Sequence, residues 1–157
     1  MKKLNNPYES IDNHCCFGCA SDNKYGLQME FYESDDKIIS IWEPKNRFQG
    51  FNYVLHGGIQ STLMDEIASW VVFIKLKTAG VTSKLKIKYK KPVYTNRGKI
   101  KLTAELVSLK HHIAKIETKL FDADENLCSQ GLIYYHTFSK KEAKAKLAYP
   151  DYKKFFQ

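Results

Sequence analysis

From His56 to Leu76 the chain reads HGGIQSTLMDEIASWVVFIKL, and apolar residues fall on nearly every side of a helix drawn through it. Ile59, Leu63, Met64, Ile67, Ala68, Trp70, Val71, Val72, Phe73 and Ile74 leave little room for a wet face, so the segment is predicted to be a buried helix. A His-Gly-Gly turn opens it. Lys75 and Lys77 suit its C-terminus, where cations are favoured, and Gly80 is expected to stop it. On either side the pattern changes to a period of two. Leu27–Glu33 and Lys37–Glu43 predict two strands joined by a turn at Ser34-Asp35-Asp36, with Pro44 ending the second. Downstream, Leu85, Ile87 and Tyr89 alternate with Lys84, Lys86, Lys88 and Lys90 until Pro92 breaks the strand. Lys99–Lys110, Ile113–Asp122 and Leu127–Phe138 predict three more strands, with turns at Tyr94–Gly98 and Asp122–Asn126. Ser139 followed by Glu142 is a capping box and predicts a short basic C-terminal helix.

The order is therefore two strands, one long helix and four strands. A helix that is apolar all round cannot bury itself, whereas a curved antiparallel sheet wrapped around it can bury it. The expected class is α+β, one domain over residues 1–157. Residues 1–14 are polar and expected to form a loose arm, and 139–157 hold the basic helix and tail. The segment between Pro44 and the helix is a loop rich in Asn, Gly and aromatic residues. No internal repeat or low-complexity linker interrupts the pattern.

Composition narrows the function classes. The 157 residues are 43% hydrophobic and 27% charged, which is globular rather than disordered. The formal charge of +8 points to an anionic partner without choosing which. No nucleic-acid motif accompanies it, so no nucleic-acid partner is expected. The N-terminal MKKLNNPYES lacks the apolar stretch of a signal peptide. The longest uncharged run of the central helix is far short of the roughly 20 residues that span a bilayer. A soluble cytoplasmic protein with no membrane partner is the expectation.

The chemistry concentrates on the helix. Asp65 and Glu66 stand in its middle, although carboxylates are rarely buried without partners. Asp65 lies seven residues beyond Gly58, about two turns along. Its helical neighbours Ser61, Thr62, Ala68 and Ser69 are all small, so this strip is expected to leave a cavity beside the acid. The unpaired N–H groups at the helix start carry a partial positive charge, and Gly57 and Gly58 let an oxygen approach them closely. Glu66 sits about 100° round the helix and is expected to be structural. His56 is a candidate catalytic residue, with a general base as one reading, and is expected to position the turn. Cys16-Phe-Gly-Cys19 has the spacing that zinc and redox sites use. With no second pair beside it, it is read as small buried side chains in a tight turn, and no metal site is expected.

The stretch HGGIQSTLMDE at 56–66 resembles the signature of hotdog-fold acyl-CoA thioesterases of the phenylacetate-pathway and 4-hydroxybenzoyl-CoA type. Thr82–Pro92 (TSKLKIKYKKP) matches the family's strand ending in Pro, and Cys16-Phe-Gly-Cys19 with Gly26-Leu27 matches the opening of one branch. The resemblance implies the hotdog fold and hydrolysis of a coenzyme A thioester, with coenzyme A entering only as part of the substrate and no separate cofactor. It implies Asp65 as general base or nucleophile, the Gly57 amide as the group polarising the carbonyl, and Thr82 as a hydroxyl that orients water or the carboxylate. It also implies a site shared between two protomers of a homodimer or tetramer. Gly58, Gly50, Asn52, Glu66 and Ser69 are the expected substrate contacts, with Lys90, Lys91 and Arg97 as candidates for the coenzyme A phosphates. Relatives place Asn or Gln where this chain has Gly50; Gln49 and Asn52 are the candidates to replace it. A hotdog dehydratase would want a His-Phe-Pro loop or an Asp-x4-His pair, and the chain has neither. A non-enzymatic acyl-CoA-binding protein is the competing reading.

Overall fold

The computed structural model describes residues 1–156. Seven strands form one antiparallel sheet: β1 (Lys2–Lys3), β2 (Tyr32–Ser34), β3 (Lys37–Trp42), β4 (Gly80–Tyr89), β5 (Ile100–Lys110), β6 (Ile113–Phe121) and β7 (Leu127–Thr137). Their spatial order is β1-β2-β3-β5-β6-β7-β4, which leaves β4 as a free edge. Helix α1 (Gly57–Lys75) lies on the sheet, against β3 through β7. A short helix α2 (Lys140–Leu147) follows the last strand, its Glu142 N–H capped by the Ser139 hydroxyl at 3.2 Å. This is the hotdog architecture expected from the pattern. No described helix is long and apolar enough to cross a membrane.

The core forms because α1 has an apolar side for every neighbour. Leu63, Met64, Ile67, Ala68, Trp70, Val71, Val72 and Ile74 are all buried. From the sheet come Ile38, Ile100, Leu102, Ala104, Ile116, Leu120 and Ile133. Each fully buried aliphatic side chain of this kind contributes on the order of 1.5–3 kcal/mol. The far side of α1 is closed by the two ends of the chain. Trp70 stacks on Phe31 at 4.3 Å and meets Phe155 edge-on at 5.7 Å. Tyr149 donates its hydroxyl to the Phe73 carbonyl at 2.8 Å.

Several boundaries differ from the sequence pattern. Residues 1–14 are not a loose arm. Leu4 is buried, β1 pairs with β2, and Asn5 N–H donates to the Phe155 carbonyl at 2.9 Å. The strand expected from Leu27 shortens to β2, because the backbone of 27–31 is claimed by other groups. Leu27 and Met29 N–H groups donate to Phe17 and Gly18, the Trp42 indole donates to the Leu27 carbonyl, and the Ser40 hydroxyl donates to the Glu30 carbonyl. Gly80 does not stop α1. Lys77 takes the left-handed conformation there (φ 54°), and Gly80 opens β4, where a Cβ would press on the His136 carbonyl of β7. His111-His112 makes the two-residue turn between β5 and β6, both with positive φ (49° and 63°). That is the turn geometry whose twist suits a tight hairpin. The predicted tail reaches 157, which lies outside the described residues; the rest of it forms α2 and a 3-10 turn at Tyr152–Phe156.

Trp70 joins both chain ends to α1. We expect Trp70→Ala to lower unfolding free energy by about 3–5 kcal/mol, read as a reduced urea midpoint with an unchanged slope.

Candidate active site

The start of α1 is held by its own flanking residue. His56 caps the helix, its Nδ1 accepting from Gly58 N–H at 2.9 Å. The ring therefore carries its proton on Nε2, the nitrogen away from the cap. Among the described residues the Gly57 N–H has no hydrogen-bond partner, so it is one of the donors left open at the helix start. Tyr89 of β4 stands beside it, donating to the Gly57 carbonyl at 2.8 Å and meeting the Ser61 hydroxyl at 2.6 Å.

Asp65 is half-buried where α1 passes under the free edge of the sheet. Its Oδ1 accepts from the Thr82 hydroxyl at 2.8 Å and the Tyr135 hydroxyl at 2.7 Å. No partner is recorded for Oδ2 among the described residues. One carboxylate oxygen is thus fixed by two hydroxyl donors on β4 and β7, and the other is free for chemistry. Tyr135 also reaches the Asp65 carbonyl at 2.8 Å. Burial pushes its phenol above the ordinary range, and the Asp65 charge adds to the push, so it stays a donor.

Thr82 reaches Asp65 because β4 is bulged. The pairing of β4 with β7 slips between Thr82 and Lys84, and the extra residue, Ser83, puts Thr82 on the same face as Leu85, Ile87 and Tyr89. Strict alternation would have turned Thr82 outward with the lysines. Bulges re-aim side chains in this way.

A carboxylate on a core helix, two hydroxyls that orient it, and an open amide at a capped glycine turn all fit acyl transfer. The family model described as "Thioesterase superfamily" matches residues 52–129, the span that holds the glycine turn, Asp65 and Thr82. The chain belongs to the thioesterase superfamily. Solved structures share its fold. A thioesterase from Haemophilus influenzae is 21% identical with a TM-score of 0.66, covering 72% of this chain and 80% of that one. A hypothetical thioesterase protein from Streptococcus pneumoniae, solved with coenzyme A, is 19% identical with a TM-score of 0.65, covering 71% and 90%. A further thioesterase superfamily protein is 21% identical with a TM-score of 0.65, and the chain spans 58% of its length. A comparison with curated proteins gave no match.

The remaining expected site residues of this thioesterase superfamily member fall in different places. Gly58 is exposed beside the His56 ring. Gly50 donates to the Val54 carbonyl at 2.8 Å, and a Cβ there would touch the His56 ring at 3.4 Å. The Gln49 side-chain Oε1 is committed to the Tyr53 N–H at 3.0 Å, so it holds the loop; Asn52 is exposed near its tip. Lys90 and Lys91 are exposed together at the end of β4, both N–H groups donating to the Cys128 carbonyl. Arg97 stacks over Tyr94 at 3.8 Å beside the Asp122–Asp124 turn, apart from the two lysines. The strip of small residues does not form one cavity. Ser61 meets Tyr89, Ala68 is fully buried, and Ser69 donates to the Glu66 carbonyl at 2.7 Å.

Glu66 and the cysteines depart most from the expectation. Glu66 turns away from Asp65 and lies against Cys16, 3.7 and 3.8 Å from its sulfur. Burial pushes the Glu66 carboxyl up to about 7, and negative charge on Cys16 pushes it the same way. The Cys19 thiol and N–H donate to the Cys16 sulfur and lower its thiol; Cys19 is driven up by Cys16 and by burial. The turn is tight and Cys19 is buried as read from sequence, while Cys16 is half-buried with its sulfur against Glu66.

Tyr135 is the partner of Asp65 that the hydropathy pattern does not single out. Its signal is a phenol on the core-facing side of an alternating strand, where a hydroxyl needs a partner. We expect Tyr135→Phe to leave Asp65 short of a donor and cost about 1–3 kcal/mol in chemical denaturation. Thr82→Val, on the exposed edge, costs less.

Proposed function

We propose that the chain is an acyl-CoA thioesterase, hydrolysing a coenzyme A thioester to free acid and coenzyme A. The observation that carries this is the Asp65 carboxylate, one oxygen fixed by Thr82 and Tyr135 and the other unpartnered. Asp65 takes a proton from water as the water oxygen bonds to the carbonyl carbon, or it attacks that carbon itself and water then cleaves the mixed anhydride. Either way the C–S bond breaks and the thiolate leaves without strong protonation. The open Gly57 N–H receives the negative charge on the carbonyl oxygen, and one such donor is typically worth about 10²–10³ in rate. His56 holds the turn that presents this amide, and Gly58 adds no side chain beside it. The solved relative with coenzyme A supports this substrate class. Lys90 and Lys91 are the residues assigned to its phosphates, with Arg97 further round the surface.

Asp65 and Gly57 of one chain cannot bracket one carbonyl, since eight residues of helix separate them by about 12 Å. A second copy removes the conflict. Strand β4 is an unpaired edge, and Leu85 (42% exposed) and Tyr89 (49% exposed) stand on its helix-facing side. Unpaired edges are templates for a further strand. Pairing β4 with β4 about a two-fold axis sets Asp65 of each copy toward the helix start of the other, so the working unit is a homodimer or a dimer of dimers. A specific observation favours the second reading, an acyl-CoA-binding protein without turnover. At position 50 a glycine offers no side chain to hold water, and Gln49 is committed to its own loop. The phenylacetate-pathway branch is the finer assignment that the glycine turn and Asp65 support.

A panel of acyl-CoAs with detection of free thiol tests the reading. We expect turnover that falls about 10²–10⁴-fold in Asp65→Ala with an unchanged circular dichroism spectrum; an equally active mutant removes Asp65 from the mechanism. In small-angle scattering at micromolar concentration we expect at least a dimer, broken by Leu85→Glu; a clean monomer contradicts the shared site.

A further inference from the structure

The N-terminal segment brings a second constellation to α1, one residue beyond Asp65. One ligand atom each from Cys16, Cys19 and Glu66 lie within 4.8 Å of one another. The Cys16 sulfur is 3.7 and 3.8 Å from the two Glu66 oxygens. Tetrahedral Zn²⁺, with bonds of about 2.3 Å to sulfur and 2.0–2.2 Å to oxygen, holds such a pair about 3.5 Å apart. The Cys16–Glu66 pair is within a few tenths of an ångström of that separation.

The surroundings are those of sulfur ligands. The Cys19 N–H donates to the Cys16 sulfur at 3.4 Å, and the Asn6 amide donates to the Cys19 sulfur at 3.5 Å. Such outer donors orient metal-bound sulfur. Gly18 lies between the cysteines, and any Cβ there would fall on the Glu66 carboxylate. Cys16, Cys19 and Glu66 open on a cavity of about 240 Å³, also lined by Tyr8 and His14. Among the described residues, the Tyr8 hydroxyl and His14 Nε2 are buried with no hydrogen-bond partner. Buried polar atoms are ordinarily satisfied, so the cavity wall carries donors and acceptors that the protein itself does not use.

We propose that Cys16, Cys19 and Glu66 bind one Zn²⁺, with the fourth position open to the cavity that His14 lines. Two sulfurs exclude Mg²⁺ and Ca²⁺, and the Cys-x-x-Cys spacing with a hard carboxylate suits Zn²⁺. The ion joins the segment around residues 14–19 to the core helix, fixing the chain end that covers α1. This site is separate from the thioester chemistry and stands whether or not the chain turns over acyl-CoA.

The test uses the full chain, purified reduced, stripped with a chelator, and titrated with Zn²⁺ alone and Co²⁺ alone. We expect one equivalent per chain, a thiolate-to-Co²⁺ charge-transfer band in the unaltered protein, and a raised thermal midpoint with Zn²⁺. Cys16→Ser and Glu66→Gln are each expected to weaken binding more than about tenfold, and Gly18→Ala to weaken it by displacing Glu66. Absence of stoichiometric binding, a Co²⁺ spectrum without the thiolate band, or equal affinity in Cys16→Ser would overturn the site. The spectrum of the unaltered chain decides the matter even where a variant fails to fold.

Discussion

Enclosure of α1 is the constraint from which the rest follows. A helix with apolar residues on nearly all sides is stable in water only when covered all round. The sheet covers one side and the two chain ends cover the other, with Trp70 wedged between Phe31 and Phe155. Once the helix is enclosed, its polar side chains have few exits. Asp65 emerges beneath the free edge of the sheet, and Glu66 emerges beneath the N-terminal segment. Adjacent acids therefore sit in unlike environments, one fixed by hydroxyls and one facing sulfur.

The edge position gives Asp65 its character. A carboxylate deep in the core would need every lone pair satisfied. At the edge, Thr82 and Tyr135 satisfy one oxygen and leave the other available. The bulge at Ser83 makes this possible by carrying Thr82 onto the helix-facing side while the lysines stay outward. Orientation comes from a buried strand residue, Tyr135, and accessibility from an exposed one. That division matches what a general base or nucleophile requires: a fixed direction and an open approach.

Much of this was legible in the sequence, and the reasons for success and failure are physical. The all-round apolarity of 57–75 and the period of two in 100–137 report burial directly, so α1 and β5–β7 were found within a residue or two. The Ser139–Glu142 capping box reports a local hydrogen bond and was also legible. The region around Leu27–Phe31 misled because alternation reports which side chains are buried, not which backbone groups pair. Thr82 was placed by resemblance; alternation alone would have faced it outward, because a bulge leaves no mark in the pattern of polarity. Tyr135 meets Asp65 across seventy residues, and Cys16 meets Glu66 across fifty. Contacts at such separation depend on the finished topology.

The thiol–carboxylate cluster also bears on how the chain end is kept in place. Among the described residues no lysine or arginine pairs with Glu66. Two sulfurs and a carboxylate in a partly buried space are all acceptors once ionised, and bringing them together costs free energy unless something positive joins them. A proton on the carboxyl offsets part of that cost but gives little geometry. A divalent cation offsets two of the three negative charges and imposes angles, which accords with a glycine at position 18 and N–H donors on both sulfurs. The proposed shared ion therefore accounts for features that simple packing of small side chains leaves without a reason.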